Sequence, residues 1–522
     1  MSGDRVIVVG AGVGGLAAAV DLAAQGLQVT VVDKADQPGG KMRRVPAGPA
    51  ALDGGPTVFT MRWVFDDLLD RAGVGRLEDL VGLRPLSVLA RHAWDGPQAD
   101  RVRFDLFADP RRTEDAIGAL SGAAEVKRFR AFRDEAARIY HTLVDTYIRN
   151  SKTSMPGLIR RAGVGGVGDM ARIHPFTTLW AALGKHFQDV RLQQLFGRYA
   201  TYVGASPFLA PATLMLVAHV ELEGVYSVDG GMHALAQALA GLAKRKGATV
   251  HYGQAVSRIE TAGGRARAVV LDDGRRLEAD AILFNGDVNA LAEGLLGPAV
   301  KTAVPAVPKA ARSLSAVTWC VHAETEGFPL LRHTVFFSRD YPREFDDILK
   351  RRRLPAEPTV YICAQDRLDD ATQDSVPAGP ERLLMLVNAP ADGDSPSPAL
   401  DPSEITACQD RTLALLARCG LRVRLDPDST TITTPRQFAR LFPATGGALY
   451  GRASHGWQAS FTRPGARTRI PGLYLAGGSA HPGPGVPMAA LSGRQAAMSI
   501  LTDRASTSRS RRGAMPGGTS TG

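Results

Sequence analysis

The sequence predicts an α/β protein: a doubly wound nucleotide-binding sheet with a second, α+β domain inserted into it. Two observations carry this. In the first, a β-branched run, Val6-Ile7-Val8-Val9, feeds into Gly10-Ala11-Gly12-Val13-Gly14-Gly15 and an Ala-rich amphipathic stretch, Leu16 to Gln25. The second is another Gly-rich block near the far end, Gly477-Gly478-Ser479 and then His481 to Met488, again between a strand-like run and a helix-like one. Gly-rich strand-to-helix turns at both ends of 522 residues point to a cofactor domain assembled from separated pieces.

Each part of the opening segment has a physical role. Gly10 permits the tight turn, Gly12 lets backbone approach a pyrophosphate, and Gly15 lets helix and strand pack closely, with Gly14 between them. The helix start offers free N–H groups and a positive dipole end to phosphates. Gly26 stops the helix, Val29 to Val32 reads as a second strand, and Asp33 closes it, with Lys34 next. A carboxylate there accepts hydrogen bonds from ribose hydroxyls. A secretory leader is the competing reading of residues 6–24. Four glycines in that run, and only Arg5 as a basic start, argue against it, so no targeting segment is expected.

The middle of the chain supplies the second piece, about Tyr226 to Asp287. Gly230-Gly231 precedes a helix carrying Met232, Leu235, Leu239 and Leu242. Val250 to Val256, Ala266 to Leu271 and Ala281 to Phe284 read as strands, with Asp272-Asp273-Gly274 as a turn. The third piece is Gly472 to Leu501. Residues 1–59, 226–289 and 469–501 are thus expected to form the cofactor domain, and 60–225 with 290–468 a substrate domain. Ala389 to Ser403 reads as a loop after a strand at Leu383 to Val387. The Ser/Thr/Gly/Arg-rich tail, 502–522, has too little apolar surface to order itself and is expected to be disordered.

Bulk composition narrows the classes. Hydrophobic residues make up 44% and charged residues 22%, ordinary for a globular protein. No apolar run is long enough for a transmembrane helix. The four cysteines, Cys320, Cys363, Cys408 and Cys419, form no CxxC pair and read as reduced thiols, not a metal site or disulfide framework. The net charge is +10, but its basic residues are spread out and no nucleic-acid motif appears. Attraction to anionic lipid accounts for the charge without a nucleic-acid partner.

The sequence after Asp33 discriminates among dinucleotides. Pro38-Gly39-Gly40-Lys41 and Asp53-Gly54-Gly55-Pro56-Thr57 add two Gly-rich turns. A nicotinamide enzyme does not need them; a long flavin dinucleotide does. Lys41 can set a cation beside the pyrophosphate, or belong to a solvated basic loop. At the other end Leu473 to Ala476 is a buried-type strand running into Gly478, and Val486-Pro487-Met488 opens a helix. Proline suits that first turn, because its missing N–H costs nothing there. The helix aims a positive end at the loop, where reduced flavin would gain negative charge. His481 reads as a hydrogen-bonded structural histidine, since nothing sets it against a carboxylate.

GAGVGGLAAAVDLAAQGLQVTVVDKADQPGGK with DGGPTVFT, and the C-terminal LYLAGGSAHPGPGVP, resemble the bacterial phytoene and carotenoid desaturases. Gly231-Met232 and the Asn285-Gly286-Asp287 turn also fit that family. Asp33 and Lys41 stand where it often has Glu and Arg. The resemblance covers about residues 5–500. It implies a Rossmann-like FAD-binding domain of the flavoprotein oxidoreductase and amine oxidase type, with an inserted α+β substrate domain. FAD would be bound by Gly10, Gly12, Gly14, Gly15, Asp33, Lys34, Gly40, Lys41, Gly55, Pro56, Thr57, Val256, Gly478, Val486, Pro487 and Met488.

Within the family, residues 40–73 and HTVFFSRDYPREFDDI at 333–348 resemble the branch of 1-hydroxycarotenoid 3,4-desaturases. The implied reaction adds a C–C double bond to an acyclic C40 carotenoid, with phytoene desaturation or another flavin oxidation, of amines or porphyrinogens, as alternatives. Flavin takes a hydride and a neighbouring carbon loses a proton, so no nucleophile or metal is required, and the sequence identifies no base. A lipophilic substrate implies a cytoplasmic protein bound peripherally to the inner membrane. Residues 145–225 fit that contact: Arg149, Lys152, Arg160, Arg161, Arg172 and Lys185 alternate with Met155, Leu158, Ile159, Met170, Trp180 and Leu183. An amphipathic core helix pair is the alternative there. Oligomeric state is not legible.

Overall fold

The strand Arg5–Val9 stands at the centre of a five-stranded sheet ordered Leu473–Leu475, Ala281–Phe284, Arg5–Val9, Gln28–Val32, Thr249–His251. Every neighbouring pair is parallel, with Val8 opposite Leu283 on one side and Val31 on the other. Parallel strands are covered on both faces by their crossovers, and Val6, Ile7 and Val8 are accordingly all buried. The computed structural model that gives this architecture describes residues 4–95, 101–152, 154, 156–161, 163, 173–367, 377–396 and 400–513.

The first helix, Val13–Ala24, begins three residues before the Ala-rich stretch predicted for it and is buried from Val13 to Ala23. A helix this apolar needs partners on several sides. The C-terminal helix Val486–Gly513 and the helix Met232–Arg245 supply two of them. The helix Trp63–Arg71 supplies a third. Arg494 donates to the carbonyls of Val64 and Asp67, both at 3.3 Å, and Arg71 pairs with buried Asp21 at 3.2 Å.

A mixed sheet of seven strands forms the second layer system. Its order is Thr430–Thr433, Ser315–Ala323, Glu381–Ala389, Val360–Ala364, His333–Phe336, Val88–Asp95, Arg101–Phe107. The helix Pro402–Arg418 covers one face through Cys408, Leu415 and Leu416. On the other face the hairpin Arg44–Ala47 and Ala50–Asp53 packs Val45 and Leu52 onto Cys320, Cys363 and Leu384. Helices between residues 110 and 222 pack around Phe129, Phe132, Phe187 and Phe196, whose rings lie 4.5–6.0 Å apart in contacting pairs. All four cysteines are buried free thiols. Among the described residues no helix is long and apolar enough to cross a membrane.

Two expectations need correction. The strand predicted over 250–256 is two strands: Thr249–His251 ends the parallel sheet, and Val256–Ala262 starts a three-stranded antiparallel sheet. Gly253, at φ +66°, turns the chain between them. Its N–H donates to Ala35 O, and that of Gln254 to Asp33 O, both at 2.8 Å. The predicted disorder of the tail fails for residues 502–513, which continue the C-terminal helix. Asp503 ties that extension to Arg467 at 2.8 Å and to the Tyr474 hydroxyl at 2.9 Å. Residues 514–522 lie outside the described residues.

Candidate functional site

Three separated segments meet where the central strands end. The Gly10–Gly15 turn follows the first strand, Asn285 follows Ala281–Phe284, and Gly477 follows Leu473–Leu475. Asn285 joins them: its N–H donates to Val9 O at 2.8 Å, and its side-chain amide donates to Gly10 O at 3.1 Å. Glycine is needed for space here. A Cβ on Gly12 would lie 2.9 Å from Asn285 Nδ2; one on Gly14 would lie 2.8 Å from Ala489 O and 3.0 Å from Gly477 N. One on Gly15 would lie 2.1 Å from Gly10 O, the close helix–strand approach read from sequence. Gly40, at φ +60°, comes so close that its Cβ would lie 3.3 Å from Gly12 Cα.

Asp33 sits at the rim of this turn. Its Oδ2 accepts from Ala11 N–H at 2.6 Å and its Oδ1 from Ala35 N–H at 2.8 Å. Two of a carboxylate's roughly four acceptor positions are thereby used, and the others suit ribose hydroxyls. Burial pushes its carboxyl above the usual range, against the two backbone donors. Lys34 is exposed beside it, and Val256 opens the strand that leaves the Gly253 turn.

The remaining predicted contacts divide. Lys41 is not at the Gly-rich turn's surface: its Nζ donates to Leu449 O at 2.5 Å and lies 5.3 Å from the Phe442 ring centroid. Burial lowers its pKa, and nearby Asp287 opposes that. A Cβ on Gly55 would lie 1.9 Å from Lys41 O, so the Gly55-Pro56-Thr57 turn crosses Lys41 closely. Thr57 Oγ1 lies 2.7 Å from the Tyr361 hydroxyl of the seven-stranded sheet. Gly478 is held through its carbonyl by buried Arg463, at 3.1 Å, which also binds Tyr450 O at 3.1 Å. Val486, Pro487 and Met488 open the C-terminal helix beside Gly485. His481 donates through Nε2 to Asn150 O at 2.9 Å, the hydrogen-bonded role read for it, and burial lowers its pKa to about 4.

Free N–H groups at a helix start, glycines that leave room for no Cβ, and an acid with spare acceptors fit a flavin dinucleotide. The model for the family described as flavin containing amine oxidoreductase matches residues 13–501. A hydroxyneurosporene desaturase of Rubrivivax gelatinosus is 54% identical over 517 residues, 99% of this chain and 97% of that one. The chain belongs to the flavin-containing amine oxidoreductases, on their carotenoid desaturase branch. A zeta-carotene-forming phytoene desaturase of Myxococcus xanthus is 30% identical, covering 96% of this chain and 94% of its own. The solved structure of an oxidoreductase from Methanosarcina mazei shares the fold, with a TM-score of 0.58 at 16% identity over 95% of this chain and all of that one.

In this flavin oxidoreductase the segment His333 to Ile348 carries a buried polar cluster around Glu344. Glu344 Oε2 accepts from Ser338 Oγ at 3.1 Å, Thr359 N at 3.1 Å and Thr359 Oγ1 at 2.6 Å. Burial pushes its carboxyl from 4.5 up to about 7, against those donors. Between those two values the folded protein holds a proton that the unfolded chain has released. Stability contributed by this group is therefore full below 4.5 and declines as pH rises towards about 7. Glu344→Gln cannot ionise. Urea unfolding should show the variant gaining on the wild type by about 2–3 kcal/mol between about pH 5 and about pH 8. A gap that does not change with pH contradicts this.

Of the apolar residues predicted to meet a membrane, Leu158 and Leu183 are buried and Trp180 half-buried, whereas Ile159 is exposed. Met155, Met170 and Arg172 lie outside the described residues. Phe176, 78% exposed, stacks edge-on against Trp457 at 5.5 Å, and Leu209, also exposed, accepts from Gly456 N–H at 2.9 Å. Lys152, Arg160 and Arg161 are exposed and Arg149 covers the Trp63 ring at 4.1 Å.

Sequence reasoning missed Asn285 as the clamp and a polar cluster around Arg198. Asn285 had two usable signals, its position directly after a buried strand and its place in the Asn285-Gly286-Asp287 turn that fits the family. Among the described residues no group of three or more His, Cys, Asp or Glu is placed to hold a metal.

Proposed function

We propose that this chain is an FAD-dependent desaturase that introduces the C3–C4 double bond into an acyclic carotenoid hydroxylated at C1. The observation that carries the reading is the 54% identity over 99% of the chain to a hydroxyneurosporene desaturase. Residues 1–59, 226–289 and 469–501 form the cofactor domain, and 60–225 with 290–468 the substrate domain. Gly10, Gly12, Gly14 and Gly15 hold the pyrophosphate and Asp33 the adenosine ribose. Lys34, Gly40, Lys41, Gly55, Pro56, Thr57, Val256, Gly478, Val486, Pro487 and Met488 surround the rest. When bound, FAD supplies the acceptor for the hydride lost from an allylic C–H, while the adjacent carbon gives up a proton. The chain positions the polyene, excludes water and fixes which bond reacts.

The substrate arrives from a membrane. Phe176, Leu209 and Trp457, with the basic side chains of residues 149–161, support peripheral attachment to an anionic surface on the cytoplasmic side. The test supplies purified protein with 1-hydroxyneurosporene or phytoene in liposomes. The hydroxylated carotenoid should gain one double bond and absorb at longer wavelength, faster in anionic than neutral vesicles and more slowly at high salt. Conversion of phytoene with no action on the hydroxylated substrate rejects the reading. Equal rates in every vesicle and salt reject the membrane surface.

A further inference from the structure

Arg198 is an unusual residue to find inside a protein for an apolar polyene. It opens the short helix Arg198–Val203 and is 7% exposed. A guanidinium carries five N–H groups. Among the described residues only one hydrogen-bond partner meets them, the Tyr202 hydroxyl at 3.0 Å, and Arg198 makes no ion pair. Its charged carbon lies 4.9 Å from the Tyr202 ring centroid and 5.3 Å from that of Tyr361. Burial works against its charge, but Tyr202 and Glu221 outweigh it, and the guanidinium stays protonated.

The neighbours tie this cation to the cofactor side. The Tyr361 hydroxyl lies 2.7 Å from Thr57 Oγ1, in a Gly-rich turn of the proposed cofactor domain. It lies 2.7 Å from His333 Nδ1 as well. Burial, then Arg332 and Arg198, lower His333 to about 3, so it is neutral and acts only through hydrogen bonds. Arg198, Tyr202, Tyr361 and Thr57 come from a short helix, a strand and a turn. Glu221 balances the charge of Arg198, and guanidinium N–H groups beyond the one bound to Tyr202 are left for a ligand.

The substrate's chemistry says where a hydroxyl must bind. It sits on C1, and C3 and C4 react. The carbon bearing oxygen is two bonds from the nearer reacting carbon, so the hydroxyl is recognised beside the flavin and not at a remote end of the channel. A hydroxyl both donates and accepts. A guanidinium supplies N–H donors, and phenol oxygens supply acceptors.

Resting on the reading given under Proposed function, we propose that Arg198, with Tyr202 and Tyr361, recognises the C1 hydroxyl and so selects the hydroxylated carotenoid. Arg198 donates to the hydroxyl oxygen, and a tyrosine oxygen accepts the hydroxyl proton. A hydrocarbon leaves the remaining guanidinium N–H groups without an acceptor, and a polar site discriminates most strongly in this way.

The experiment compares holoenzyme with Arg198→Met and Tyr361→Phe. Binding of 1-hydroxyneurosporene and of the same polyene lacking the hydroxyl is read by quenching of protein fluorescence in liposomes. Turnover gives KM and kcat separately. Arg198→Met, with normal flavin content, should weaken binding of the hydroxylated carotenoid at least about tenfold while changing the hydrocarbon by no more than about twofold. The loss should fall on KM more than on kcat. Tyr361→Phe should move selectivity the same way by a smaller factor, and carries the test if Arg198→Met does not fold. Variants that keep the wild-type preference overturn the proposal. Wild type that prefers the hydrocarbon overturns instead the substrate reading on which it rests.

Discussion

Gly12→Val is expected to abolish flavin binding with most of the fold retained. Gly12 has φ −71° and ψ 169°, a conformation open to any residue, so strain is not the reason. The reason is space. Its Cβ would lie 2.9 Å from Asn285 Nδ2, and the valine methyls would reach the free N–H groups of the helix start. Asn285 would lose its bond to Gly10 O, and phosphate oxygens would lose their approach to backbone. Affinity should fall by at least two orders of magnitude, about 3 kcal/mol. Flavin absorbance per mole of purified variant checks this, and stoichiometric flavin contradicts it.

Gly493→Ala should damage the fold itself. Gly493 lies where the C-terminal helix crosses the first helix. A Cβ there would sit 1.9 Å from Gly14 O, 2.8 Å from Gly14 C and 3.2 Å from Ala18 N. These are backbone atoms and cannot swing aside, so the helices must separate. Overpacking usually costs 1–3 kcal/mol, and this position belongs at or above the top of that range. Circular dichroism should show a fall in Tm of about 3 °C or more. An unchanged Tm refutes this account of the crossing.

How far the sequence was legible depended on distance along the chain. The turn Gly10 to Gly15, Asp33 and the two flanking strands lie within 30 residues, and their spacing alone gives the unit. The C-terminal block was legible for the same reason. Asn285 was not, because its partners Gly10 and Gly477 lie 275 and 192 residues away. Arg198 lies in Phe196-Gly197-Arg198-Tyr199-Ala200-Thr201-Tyr202, which contains no motif; its meaning comes from Tyr361 and Thr57 of other elements. Periodicity located the apolar residues of 145–225 but not the side they face. Leu158 and Leu183 turned inward and Ile159 outward, while Phe176, outside that pattern, is more exposed than any of them. The helical tail escaped a compositional argument because Asp503 secures it by two contacts composition cannot contain.

Electrons from a hydroxylated carotenoid are expected to pass to a flavin held at the Gly10–Gly15 turn. The direct measurement mixes reconstituted holoenzyme with 1-hydroxyneurosporene in anionic liposomes without oxygen or any added acceptor, and follows flavin and polyene absorbance together. The flavin should bleach in step with the appearance of a polyene one double bond longer, in equal amounts. A flavin that stays oxidised while that polyene forms, or bleaches while the carotenoid is unchanged, contradicts the account.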